Sequence, residues 1–105
     1  MKRVELKQGM VLLFNGNKIE WCDGTKIVNG GIYKVDRIMN NRAILKSNRS
    51  NATTEYILRL DEIEPFELQL DDLTNIVSVY LQLNKEWFVY DKALFDKARK
   101  INKRG

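Results

Sequence analysis

A chain of 105 residues, 44% hydrophobic and 30% charged with a net charge of +4, has enough material for one small core and too little for a second independent one. It contains no histidine and one cysteine, Cys22, which excludes Ser–His and Cys–His nucleophiles, a His-based acid–base centre, an internal disulfide and a zinc site. No apolar run approaches the roughly 18–20 residues that span a bilayer. Met1–Lys7 leads into no apolar signal segment, so no membrane role is expected and the reducing cytoplasm is the expected compartment.

Taken in order, Gly9–Phe14 is an apolar run of strand length and Lys18–Cys22 alternates with period two. Together they predict a hairpin through Asn15-Gly16-Asn17. Thr25–Val28 reads as a short strand or an irregular loop. Ile32–Ile38 follows the Asn29-Gly30-Gly31 turn signal and is rich in β-branched and aromatic residues, which favours a strand. Arg42–Ser47 and Thr54–Leu60 continue a meander, with turns at Met39-Asn40-Asn41 and Asn48–Asn51, where Asn tolerates positive φ. Asp61-Glu62-Ile63 reads as one helical turn and Pro65–Leu68 as a last strand whose proline suits its start or an edge.

From Asp71 the period changes. Leu73, Ile76, Val77, Tyr80 and Leu81 share one helical face over about 72–83. Trp87, Tyr90, Leu94, Phe95, Ala98 and Ile101 repeat the spacing and predict a second helix starting at Asn84 or at Asp91, with 87–90 ambiguous because Val89 and the aromatics suit a strand. The expected fold is therefore α+β, a five-stranded β-barrel over 1–69 followed by an antiparallel helical hairpin over 70–105.

Charge is blocked along the chain. Residues 26–59 hold seven cations against Asp36 and Glu55, residues 61–72 hold six carboxylates and no cation, and residues 92–105 hold six cations against Asp96. Acidic and basic blocks at opposite helix ends complement the macrodipole. They also offer a basic surface to an anionic partner.

The order of elements over residues 4–68, with Gly31-Ile32-Tyr33-Lys34-Val35 opening the meander and Leu60–Pro65 before the closing strand, resembles a Src-homology-3-type (SH3-like) barrel. That fold hosts unrelated functions, and peptide recognition is not carried over, because Tyr33 and Tyr56 are expected to point inward. Asn84-Lys85-Glu86-Trp87-Phe88 is faintly similar to the IDEAL-type helical segment of Gram-positive bacteria. The chain's brevity and its wealth of Asn, Ile and Lys are similar to accessory proteins of phages infecting low-GC Gram-positive bacteria. This resemblance implies a factor that docks on and inhibits or modulates a host enzyme or defence complex, in the host cytoplasm.

The expected function is accordingly non-enzymatic binding, without catalytic residues, metal or cofactor. Cys22 reads as a small strand residue, since no neighbouring cation lowers its pKa. Trp87, Phe88 and Tyr90 are the candidate anchors for a protein partner, with a homodimer through the same surface as a further possibility. The alternative is a nucleic-acid interface built from Lys34, Arg37, Arg42, Lys46 and Arg49, joined by Lys97, Arg99, Lys100, Lys103 and Arg104. Against it stand the acidic block and the lack of aromatics among these cations, which a single-strand groove requires.

Overall fold

The structure, a computed structural model, describes residues 2–16, 19–20, 26–28, 30–70 and 85–104; of these, the side chains of 19, 20, 99 and 101–104 lie outside the description. The predicted helix over 72–83, and Trp21 and Cys22, also lie outside the described residues.

The strands are β1 (Lys2–Arg3), β2 (Val11–Phe14), β3 (Ile19–Glu20), β4 (Lys26–Ile27), β5 (Ile32–Met39), β6 (Arg42–Ser47), β7 (Tyr56–Arg59), β8 (Pro65–Glu67) and β9 (Trp87–Val89). A 3-10 turn, Leu60–Glu62, precedes β8, and helix α1 spans Lys92–Arg104. Seven strands form one sheet in the order β1-β8-β9-β2-β5-β6-β7, while β3 and β4 pair separately.

This corrects the expected five-stranded barrel with a helical hairpin. Among the described residues the sheet does not close, since β1 pairs only with β8 and β7 only with β6. The sheet is also mixed, because β9 runs parallel to β8 and antiparallel to β2. The segment assigned to the start of a second helix is thus a strand, inserted where a five-stranded arrangement would join β8 to β2. The physical reason lies in Trp87-Phe88-Val89. Successive strand residues face opposite sides, so Trp87 enters one core and Phe88 the other, burying two aromatics that a single helical stripe could not. Asn15 secures the approach to β9, its backbone N–H donating to the Glu86 carbonyl at 2.6 Å and its Nδ2 to the Lys85 carbonyl at 2.9 Å.

The helix begins later, and of the two predicted starts the structure has Asp91. Its Oδ1 accepts the Leu94 N–H at 3.2 Å, satisfying one of the donors left open at a helix start. The predicted hairpin between Gly9–Phe14 and Lys18–Cys22 is likewise replaced. β2 pairs with β5 and β9, and the Ile19–Glu20 strand pairs with Lys26–Ile27. The later meander follows its turn chemistry. Asn40 and Asn41 both have positive φ, at 52° and 61°, as a two-residue hairpin joining β5 to β6 requires.

Each face of the sheet has its own core. On one, Leu12, Phe14, Tyr33, Val35, Leu45, Leu58 and Trp87 pack together with Ile27 and Ile63. Phe14 and Trp87 meet with ring centroids 4.8 Å apart, and Tyr33 meets Tyr56 edge-on at 5.4 Å. On the other face, Leu13 and Phe88 pack with Leu68, Phe95 and Ala98. Phe95 and Ala98 stand three apart on α1, so the helix covers the β2–β9 side of this face. Of the β5–β6–β7 side of the same face, the described residues bring only Ile32, at the start of β5, against that cluster.

Candidate functional site

The uncovered part of the second face is built by a β-bulge. In β5, Tyr33 and Val35 point into the first core, and strict alternation would send Arg37 after them. The register shifts between Val35 and Arg37, so Asp36 is the extra residue. Ile38 then takes the core position and Arg37 turns outward, the re-aiming that bulges commonly produce. Two adjacent charged residues, Asp36 and Arg37, inside an otherwise alternating strand are the signal for it in the sequence.

Past the bulge the ladders place two rows of side chains on this face. Met39, Arg42 and Arg59 are partners across β5, β6 and β7, and Arg37, Ile44 and Ile57 form the next row. Ile44, in the middle, is 5% exposed, whereas Ile57 and Met39 are 50% and 48% exposed. Arginine and methionine around an aliphatic centre are the residue types enriched in protein interfaces.

The charges are largely held by neighbours. Arg37 forks onto Glu55, with Nη1–Oε2 at 2.8 Å and Nη2–Oε1 at 3.4 Å, and its Nη1 also meets Asp36 Oδ2 at 2.6 Å. Glu55 first, then Asp36, strengthen the hold of Arg37 on its proton. In return Arg37 pulls the Glu55 carboxyl below the usual carboxylate range. Arg59 Nε lies 3.1 Å from Asp61 and 3.3 Å from Glu62. Lys46 Nζ is 3.9 Å from Asp36.

Of the cations proposed for a phosphate-tracking stripe, Lys34 and Lys46 are cross-strand partners, and both border one cleft with Arg49. Arg42 stands apart beside the Asn40-Asn41 turn, and Arg37 is engaged by carboxylates. Lys97 and Lys100 are exposed on α1, and Arg99, Lys103 and Arg104 lie along the same helix.

The aromatic candidates are placed differently. Trp87 is 1% exposed and Phe88 fully buried, one in each core, so their surfaces meet this chain's own residues. Tyr90 is half-buried, edge-on to Phe95 with ring centroids 5.2 Å apart. The two cores thus take up Trp87 and Phe88, while Tyr90 lies at the margin of the second.

Among the described residues no three His, Cys, Asp or Glu side chains are grouped to hold a metal ion, and no helix is long and apolar enough to cross a membrane. Comparisons with protein-family models, curated proteins and solved structures find no match to this chain.

Proposed function

We propose that this is a non-enzymatic binding protein that docks on another protein through the open face of β5, β6 and β7. The observation that carries the reading is the half exposure of Ile57 and Met39 beside Ile44, within a frame of Arg37, Arg42 and Arg59. A phosphate backbone would gain nothing from the aliphatic centre, and it would meet Asp36 and Glu55 next to Arg37. A protein surface with an apolar patch rimmed by charges of both signs matches both features. The resemblance to phage accessory proteins makes that partner a host enzyme or defence complex, which the bound protein would block or modulate.

Affinity capture from a Gram-positive lysate, with and without nuclease, tests the reading when wild type and Ile57→Asp are compared. The expected result is a stoichiometric protein that resists nuclease and is lost with Ile57→Asp. Equal capture by both, or loss of the captured protein on nuclease treatment, would reject this face as a protein-docking site.

A further inference from the structure

Next to the docking face, residues 8–9, 34–36, 46–50 and 52 line an open cleft of about 660 Å3, within the size range of small-ligand sites. Lys34, Lys46 and Arg49 line it. Lys34 stands directly opposite Lys46 across the β5–β6 ladder, and like charges so placed weaken a strand pair. The fold therefore gains nothing from this pairing, whereas an anion seated between the two ammonium groups would relieve it. The cleft's single carboxylate, Asp36, is already shared by Arg37 at 2.6 Å and Lys46 at 3.9 Å, and Lys34 and Arg49 have no carboxylate partner among the described residues. The rest of the lining includes the neutral hydrogen-bonding groups of Gln8, Ser47 and Asn48 and contains no aromatic ring.

We propose that this cleft binds a sugar phosphate, with Lys34, Lys46 and Arg49 on the phosphate and the amide and hydroxyl groups on the sugar. Without a ring on which to stack a base, recognition stops at the sugar–phosphate unit. That unit is available free or as the backbone of a nucleic-acid strand.

The test titrates the 15N-labelled full chain at low salt with ribose 5-phosphate, with ribose, and with a short single-stranded oligonucleotide. Saturable shifts at the amides of residues 34 and 46–50 are expected with ribose 5-phosphate and absent with ribose. A response to the oligonucleotide alone would support the proposal with the polymer as source. Lys34→Glu with Arg49→Glu should weaken binding about tenfold or more, the scale of losing a charge-assisted hydrogen bond. Lys34→Arg should retain it, and amides outside the cleft should not move in any variant. Should the double variant fail to fold, Lys34→Gln alone at this exposed position should still weaken binding. The proposal is overturned if neither phosphate compound shifts these amides, or if the shifts persist undiminished in the Lys34 and Arg49 variants.

Discussion

Ile57 lies directly opposite Ile44 across the β6–β7 ladder, yet Ile44 is buried and Ile57 is half exposed. Ile44 sits on an inner strand between Arg37 and Ile57. Ile57 sits on β7, beyond which the described residues provide no further strand. An exposed aliphatic on an edge strand is a liability that proteins blunt with charge, and here Arg42 and Arg59 flank it. An isoleucine kept inside that charged frame is consistent with the docking surface proposed above.

The core role of Trp87 predicts a large stability effect that is separate from binding. Trp87→Ala removes a ring packed on Phe14 and Tyr33 and should cost about 3–5 kcal/mol, read as a lower urea midpoint. A change near zero would contradict the placement of β9 inside the sheet.

Gly31 is a position where any side chain collides with the core. A Cβ there would sit 2.6 Å from the Tyr33 hydroxyl oxygen and 2.7 Å from Cε2. The Tyr33 ring cannot move away freely, since it packs on Tyr56 and Trp87 and its hydroxyl accepts the Val28 N–H at 3.1 Å. Gly31→Ala should therefore destabilise by about 1–3 kcal/mol through overpacking. Thermal unfolding would reveal it, and an unchanged midpoint would mean that the ring is not held.

Asp91 caps α1, and Asp91→Ala should cost about 1 kcal/mol, while Asp91→Ser or Asp91→Asn should recover most of it. If the three variants unfolded alike, the cap would have no energetic role.

The Arg37–Glu55 fork has a pH signature. Because Arg37 lowers the Glu55 pKa in the folded state, the pair's contribution is present above the unfolded-state carboxylate range and is lost as pH falls through the folded value. A carbon-detected NMR titration should find Glu55 ionised at a lower pH than ordinary glutamates, and Arg37→Ala should return it to their range. The same titration midpoint with and without Arg37 would contradict the fork.

Much of the central sheet was legible because local signals acted alone there. Asn40-Asn41 set a two-residue hairpin, and the β-branched runs on either side became β5 and β6. The C-terminal third was less so, because Trp87, Tyr90 and Leu94 fall at helical spacing even though a strand ends and a helix begins between the first and the last. Only the non-local pairing of Trp87 with Phe14 and Pro65 decides that segment. The basic stripe was legible as composition, but its division was not. The bulge at Asp36 sends Arg37 to Glu55, leaving Lys34, Lys46 and Arg49 at a separate cleft.

The most direct test of protein docking is the dissociation constant of the captured partner for wild type, Ile57→Thr and Ile57→Asp, with folding checked by NMR dispersion. Thr keeps the β-branched shape, and an exposed strand substitution of this kind should shift stability by about 1 kcal/mol or less. The account predicts that Thr weakens binding and that Asp weakens it more, at least about tenfold, in folded protein. Unchanged affinity in both folded variants would contradict docking through this face.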